Sequence, residues 1–306
     1  MITKLLIYKI LQLFAFMLIG FVLSKTKLVR LSDSIVLSKL CLYLFMPSAV
    51  INAFDFNKSS QIINGFLLAF FASVIIHIVY YLLDIPYKKL ISESPVERAS
   101  VMYSNAGNII IPIVSFVLGE EWVVFSAAYL SVQQFFLWSH GIGLFSSDKK
   151  FLIKKILLNV NIISVILGIA LMFTGIRLPT FVKGITGSLA DMLGIVGMLI
   201  TGILAANINF KSILKDIRMY RVTLFRIIIY PLLTLTILKL MSKLPITDSH
   251  SILLVTFLAS VSPAAATITQ FAQITNEDEK LATSINIFST LLCIISMPLF
   301  VMLYEL

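Results

Sequence analysis

Charged residues are scarce in this sequence, and their scarcity excludes most soluble folds. Of 306 residues only 13% are Asp, Glu, Lys or Arg, whereas 59% are hydrophobic. The mean hydropathy is +1.00. Soluble domains carry about 25% charged residues, because water must solvate their surfaces. The composition therefore predicts an integral membrane protein.

Cysteine is also scarce, and several catalytic motifs are absent. Cys41 and Cys293 both lie in apolar stretches, so we expect no disulfide framework and no metal site. The sequence contains no His-Glu-x-x-His pair, no Gly-x-Ser-x-Gly elbow and no Gly-x4-Gly-Lys-Ser/Thr loop. We therefore expect neither an enzyme nor an ATP-driven pump, and we expect no cofactor.

Apolar stretches follow one another along most of the chain. A spanning helix needs about 20 mostly apolar residues. Ten segments meet this requirement, at residues 5–23, 35–54, 62–83, 97–118, 122–146, 155–174, 185–206, 219–241, 251–272 and 281–304. The sequence thus predicts an all-α membrane protein with ten transmembrane helices.

The connection at residues 146–150 divides these segments into two sets of five. We interpret residues 1–150 and 151–306 as two five-helix repeats. An odd number of crossings per repeat places the two repeats in opposite orientations, as in transporters built from inverted repeats.

Basic residues outnumber acidic ones, and their positions indicate orientation. The chain has 24 Lys and Arg against 15 Asp and Glu, a net charge of +9. No aromatic residues interleave a basic face, so we expect these charges to contact anionic lipid and not nucleic acid. Most of them follow odd-numbered segments. This bias predicts a protein of the inner (plasma) membrane whose two termini both lie outside the cytoplasm.

Two apolar segments, the fourth and the ninth, carry polar residues and proline near their centres. These residues are Asn105, Gly107, Asn108 and Pro112 in the fourth, and Ser262, Pro263 and Ala264 in the ninth. Proline removes a helix hydrogen bond and clashes with the preceding turn, so both segments are predicted to be interrupted. Two interrupted segments at corresponding places in two repeats indicate the substrate site of a transporter.

The chemistry of these residues favours an anion. An interrupted helix exposes an N-terminus that carries about half a positive charge, and the amides of Asn105 and Asn108 can also donate hydrogen bonds. No Asp or Glu lies in the middle of the fourth, fifth, ninth or tenth segment, which argues against a cation exchanger. The alternative interpretation is that the two asparagines only join helices.

Other polar residues in apolar segments have less specific roles. Gln133 and Gln134 in the fifth segment are candidates for a substrate contact or for bonding between helices. Candidates for binding a coupling H⁺ or Na⁺ are His77, Thr267, Gln270 and Gln273. Arg226, in the eighth segment, is expected to extend towards the membrane surface or to neutralise a substrate carboxylate at an opening.

Several motifs resemble one transporter family. The motifs are Asn-Ala-Gly-Asn-Ile-Ile-Ile-Pro at residues 105–112, Ser-Pro-Ala-Ala at 262–265, Leu-Cys-Leu-Tyr-Leu-Phe-Met-Pro at 40–47 and the run from Glu277 to Pro298. Together they resemble the auxin efflux carrier family, whose bacterial members are often described as malate or organic-anion permeases. The sequence departs from the family pattern at Ile110, where glycine is expected.

The resemblance implies a fold similar to that of sodium/proton antiporters and bile-acid sodium symporters. Helices 4 and 9 would cross at their prolines. Helices 1, 2, 6 and 7 would form a scaffold that pairs as a homodimer, and the other six a transport domain with an elevator-type motion. The substrate would be a small carboxylate such as malate or an auxin-like acid. A sodium-coupled symporter of the bile-acid type, and a channel or sensor with the same fold, remain as alternatives.

Overall fold

The described chain is helical, as the composition predicts. A computed structural model of the protein describes residues 2–55, 59–145, 158–208 and 214–306. The helices in these ranges are α1 (Ile2–Lys25), α2 (Asp33–Ala53), α3 (Ser60–Leu90), α4 (Pro95–Met102), α5 (Ala106–Val117), α6 (Val123–Phe136), α7 (Val160–Thr174), α8 (Thr180–Ala206), α9 (Ile217–Met241), α10 (Ser249–Val261), α11 (Ala266–Thr275) and α12 (Glu279–Glu305). Helix α6 continues through a π-helical turn as far as Leu144.

Many of these helices suit a bilayer. Among the described residues, six helices are long and apolar enough to cross a membrane: α1, α2, α3, α8, α9 and α12. Helices α5, α7 and α10 are apolar but shorter. The protein is therefore a multi-pass membrane protein. The fourth and ninth predicted segments are each divided, into α4 with α5 and into α10 with α11.

Two of the long helices contain a widened turn next to a proline. The π-helical turns Cys41–Phe45 in α2 and Phe225–Ile229 in α9 lie just before Pro47 and Pro231. Proline lacks an N–H and its ring presses on the carbonyl four residues earlier, and a π turn relieves that contact without ending the helix. The second of these turns contains Arg226.

Helix α3 continues past the predicted end of its segment at residue 83. It runs to Leu90 and includes Asp84 and Pro86. Asp84 is buried and accepts a 2.9 Å hydrogen bond from Nε of Arg98. A hydropathy criterion ends a segment at a charge, whereas here an arginine of the next helix satisfies the carboxylate inside the protein.

The helices pack in two groups. Helix α1 lies along α8, and α2 packs on α7 and α8, whereas α3, α6 and α10 pack against one another. The α1–α8 contact depends on glycine, because a Cβ at Gly202 would lie 1.9 Å from the Met17 carbonyl oxygen. Helix α5 packs on α8 and thereby joins the two groups.

Candidate functional site

The two divided segments meet at their interruptions. Residues 103–105 separate α4 from α5, and residues 262–265 separate α10 from α11. The two stretches, here called the crossing, run antiparallel and form a β-bridge between Ser104 and Ala264.

Backbone hydrogen bonds hold the crossing together. The Asn105 N–H donates to the Pro263 carbonyl at 2.8 Å, and the Ala265 N–H donates to the Tyr103 carbonyl at 3.0 Å. An interruption in a membrane helix leaves backbone groups that lipid cannot satisfy. Each interruption therefore supplies the hydrogen-bond partners that the other one needs.

Side chains from α6 and α12, the second helix after each interruption, complete the crossing. Oε1 of Gln133 accepts from the Ser104 N–H at 3.1 Å, and its Nε2 donates to the Ser104 carbonyl at 2.9 Å. Nδ2 of Asn286 donates to the Ala264 carbonyl at 2.7 Å, and Oγ of Ser289 accepts from the Ala264 N–H at 3.1 Å. Both residues of the bridge are thus held by a helix amide from their own half of the chain.

The expectation that the helices cross at both prolines is wrong for the first proline. Pro263 lies in the crossing, but Pro112 lies within the continuous helix α5, seven residues beyond Asn105. A proline inside a helix removes one hydrogen bond and need not end the helix. The interruption falls instead where a partner segment can pair with the exposed backbone, and one sequence segment viewed alone does not reveal that partner.

A narrow cavity borders the crossing and brings many of the predicted site residues together. Those that line it are Asn105, Gly107, Asn108, Gln133, Gln134, Thr267 and Gln270. Thr269, which carries a hydroxyl in the same apolar segment as Thr267, also lines the cavity. The polar lining further includes Ser34, Ser38, Ser104 and Thr201, which the sequence patterns did not indicate. The cavity measures about 40 Å³, which is space for a few water molecules.

Several polar atoms at this cavity have unused hydrogen-bonding capacity. Nδ2 of Asn105, Oγ1 of Thr269 and Oε1 of Gln270 are buried and have no hydrogen-bond partner among the described residues. Asn105 is only 5% exposed. Buried polar atoms are nearly always paired, so these three mark a place for a ligand or for water.

The first turns of two helices also face this cavity. Gly107 lies in the first turn of α5, Ala265 and Ala266 lead into α11, and these three residues line the cavity. The first N–H groups of a helix have no partner inside the helix and carry a partial positive charge. No Asp, Glu, Lys, Arg or His is found in the lining among the described residues. The cavity is therefore rich in hydrogen-bond donors and free of charged side chains.

Helix α8 closes the cavity from the opposite side. A Cβ at Gly197 would lie 3.0 Å from Cγ of Asn108, and one at Gly194 would lie 2.9 Å from Cγ of Pro112. The absence of these side chains allows α5 to approach α8 closely.

Five predicted residues lie away from the narrow cavity. Ser262, Pro263 and Ala264 belong to the backbone of the crossing but do not line the cavity. Pro112 lines a second, wider cavity farther along α5. The fifth, His77, is fully buried.

His77 contacts aromatic rings and a backbone carbonyl. Its ring lies 5.1 Å from that of Tyr129 and 5.4 Å from that of Phe136, and its Nδ1 lies 2.8 Å from the Ser73 carbonyl. The side chain of Gln273, also predicted to bind a coupling ion, lies outside what the structure describes.

The two adjacent glutamines both line the cavity, but their amides bond to the protein. Gln133 is bound to Ser104, and Oε1 of Gln134 accepts from Nε1 of Trp138 at 3.0 Å. Gln133 thus bonds to the first interruption, whereas Gln134 bonds within its own helix.

Arg226 is placed differently from the sequence expectation. The side chain is fully buried, and it donates to four carbonyls at the crossing and in the turns that lead into it: Val101, Met102, Ser260 and Ser262. It neither extends to the surface nor lines the narrow cavity. The available signal was an arginine well inside an apolar segment, since such residues usually have a specific partner within the protein.

The wider cavity has a charged lining and measures about 780 Å³. It reaches Pro112 and Gly194 and includes Asp55 at its edge. Burial alone would raise the pKa of Asp55, but hydrogen bonds from Arg177, Lys183 and the Leu178 N–H outweigh burial and hold that pKa below its ordinary value.

Comparison with known proteins agrees with this architecture. A family model described as membrane transport protein matches residues 5–301. The match includes both interruptions and every residue that lines the narrow cavity. The comparison with curated proteins finds no match.

Proposed function

Since this chain belongs to the membrane transport protein family, also called the auxin efflux carrier family, we propose that it is a secondary active transporter of a small organic anion. The family is one of transporters and not of enzymes, and its members move a small-molecule substrate across a membrane. The proposed substrate is a carboxylate such as malate or an auxin-like acid.

The observation that carries this proposal is the lining of the narrow cavity. The N-termini of α5 and α11 each contribute about half a positive charge, so together they balance one carboxylate. The free Nδ2 of Asn105 adds a hydrogen-bond donor. An anion gains from these dipoles, whereas the cavity offers a cation no carboxylate among the described residues.

We further propose ten membrane segments in two inverted repeats, 1–150 and 151–306. The count of ten takes α4 with α5, and α10 with α11, as one interrupted segment each. The matching roles of Gln133 at Ser104 and of Asn286 at Ala264 support the repeat, because each amide comes from the second helix after its interruption, α6 or α12. The proposed boundary between the repeats lies outside the described residues.

The proposed mechanism is an elevator-type motion of one helix group past the other. Helices α1, α2, α7 and α8 would be the scaffold, and a homodimer would form through them in the inner membrane. The close glycine contact between α8 and α5 supports this division, because a smooth contact permits sliding. The narrow cavity lies at that contact, so movement would carry its contents from one side of the membrane to the other.

The test is uptake by purified protein in proteoliposomes. Labelled malate and an auxin-like acid are offered with and without a proton gradient, and in sodium or potassium buffer. Saturable uptake that Asn105→Ala and Asn108→Ala abolish supports the proposal. Asn64→Ala, at an exposed position on α3, is the matched control. Flux that does not saturate would indicate a channel, and unchanged uptake in both cavity variants would contradict the proposed site.

A further inference from the structure

We propose that Arg226 is a built-in counter-cation of the crossing, and that it occupies the place where other transporters with interrupted helices bind a coupling cation. This inference rests on the proposed function, since it explains how the carrier binds an anion without sodium at these carbonyls. It gives a specific role to an arginine that is fully buried and does not line the proposed substrate site.

The contacts of Arg226 all go to one kind of group. Its Nε donates to the Ser262 carbonyl at 3.0 Å, and Nη2 donates to the same oxygen at 2.7 Å and also to the Ser260 carbonyl. Its Nη1 lies 3.3 Å and 3.4 Å from the carbonyls of Val101 and Met102. No carboxylate forms an ion pair with it among the described residues.

These carbonyls are the C-terminal ends of α4 and α10. A helix C-terminus carries about half a negative charge, so two of them facing each other amount to about one negative charge. One guanidinium balances that charge. In transporters with interrupted helices, C-terminal carbonyls of this kind coordinate Na⁺ or H⁺. Here five donor contacts from a side chain fill the same role.

The location of the charge explains why the protein tolerates it. A buried cation without partners is strongly unfavourable, and Arg226 is 0% exposed. The π turn Phe225–Ile229 places it in α9 beside both interruptions at once. Four residues later in α9, the ring centre of Tyr230 lies 4.4 Å from that of Tyr80.

The arrangement divides the crossing into two electrically different sides. Arg226 neutralises the side formed by the C-termini, whereas the N-termini of α5 and α11 stay unbalanced at the narrow cavity. The empty carrier is thus ready for an anion. Without Arg226, the uncovered carbonyls would repel that anion or recruit a cation.

Substitutions of Arg226 test this inference in proteoliposomes. Wild-type uptake is expected to be the same in sodium and potassium buffer. Arg226→Lys, which keeps the charge, should fold and remain independent of sodium at a reduced rate. Arg226→Gln, which keeps donors but loses the charge, should lose more than about 10-fold of uptake and recover part of it in sodium. Arg30→Gln, at an exposed position, is the matched control.

A second measurement does not depend on transport. Millimolar guanidinium ion should raise the thermal midpoint of purified Arg226→Ala in a saturable way, whereas urea, a neutral molecule of similar shape, should not. If wild type carries no anion but this stabilisation occurs, the proposed function fails and the counter-cation role stands. Equal behaviour of the Lys and Gln variants, strict sodium dependence of wild type, or no difference between guanidinium and urea would overturn the inference.

Discussion

At the scale of single residues, the two asparagines of the fourth segment differ in how the protein uses them. Asn105 gives its backbone N–H to Pro263 and keeps its side-chain Nδ2 unpaired. Asn108 lies one turn later and packs on Gly197 of α8. A change of the Asn105 side chain therefore leaves the crossing bonded, whereas a change at Asn108 also alters the contact between helix groups.

Asn105→Asp should abolish anion uptake without unfolding the protein. The new carboxylate keeps the shape of the side chain but places a negative charge at the proposed anion site, and like charges a few ångströms apart repel strongly in a buried site. We expect a loss of more than about 10-fold in uptake and a small change in thermal midpoint. Asn64→Asp serves as the exposed control. Retained uptake at neutral pH would exclude Asn105 from the anion site.

Gln133→Ala should destabilise the protein more than Gln134→Ala. Gln133 satisfies both backbone groups of Ser104, and its removal leaves them buried without partners, at a cost of about 2–4 kcal/mol. Gln134 accepts one bond, from Trp138. Unfolding of the two purified variants in denaturant gives the comparison. An equal loss of stability would mean that Gln133 does not hold the interruption.

The residues of the site show what a sequence can and cannot reveal. Asn105, Asn108 and Gln270 were recognisable because polar residues are rare in apolar segments and need a reason there. Ser104 was not, since its importance comes from the bridge to Ala264, 160 positions later in the chain. Arg226 was recognised as unusual, but its carbonyl partners belong to two other segments whose positions the sequence does not give.

At the scale of helices, the contact between α5 and α8 depends on side-chain size. A Cβ at Gly197 would meet Asn108 at 3.0 Å, whereas one at Gly184 of the same helix would meet nothing within 4 Å. The two positions therefore form a matched pair within α8.

Gly197→Ala should slow uptake several-fold, and Gly184→Ala should not. The added methyl group would displace Asn108 and hinder the proposed sliding of α5 along α8. Overpacking of this kind costs about 1–3 kcal/mol of stability. Alanine raises the helix propensity equally at both positions, so a difference in uptake between the two variants reports the contact of Gly197 with Asn108. Initial uptake rates measure it. Equal rates in the two variants would show that this contact is unimportant for movement.

The ion pairs of Asp55, which follows α2, with Arg177 and with Lys183 of α8 should stabilise the protein at neutral pH and weaken in acid. Asp55 accepts from Nε of Arg177 at 2.7 Å and pairs with Nζ of Lys183 at 2.8 Å. Its lowered pKa means that the stabilisation is complete above the pKa of the unfolded chain and is lost as pH falls through the lower folded value. Because both cations are largely exposed, we expect the stabilisation to be small. Asp55→Asn should lower the thermal midpoint at pH 7, and the difference should shrink below about pH 4. A constant difference across this range would exclude the charge as its cause.

Helix boundaries are predictable where the composition changes from apolar to polar. They are not predictable where hydrogen-bond partners from distant parts of the chain determine where a helix ends. Helices α1 and α8 end within a few residues of the predicted segments, because loops interrupt the apolar run. Helix α3 extends beyond the predicted residue 83 because Arg98 donates a hydrogen bond to the buried carboxylate of Asp84. The interruption of the fourth segment was expected near Pro112, but it occurs where the ninth segment supplies hydrogen bonds.

At the scale of the whole molecule, two cavities lie at successive levels along α5 and α8. The wide cavity reaches Pro112 and Gly194, and the narrow cavity begins at Asn108 and Gly197. The contact of these residues separates the two spaces. A carboxylate of malate's size needs more room than about 40 Å³, so the proposed function predicts that the cavity widens by movement of the helix groups when such a substrate binds.

The proposed orientation predicts which sites a membrane-impermeant maleimide reaches. Leu306→Cys should be labelled in intact cells, and Lys89→Cys only after the membrane is permeabilised. The native Cys41 and Cys293 are 5% and 4% exposed, so they should give little background. The reverse pattern, with Lys89→Cys labelled in intact cells, would reverse the orientation.

The bridge between Ser104 and Ala264 also has a consequence for the order in which the protein folds during its synthesis. When the fourth segment leaves the ribosome, the backbone groups at its interruption have no hydrogen-bond partner, because residues 263–265 have not yet been translated. We therefore expect the stretch to stay out of lipid until the ninth segment has been translated. A nascent chain truncated before residue 264 would carry unsatisfied amides into lipid, which marks it for degradation by membrane proteases.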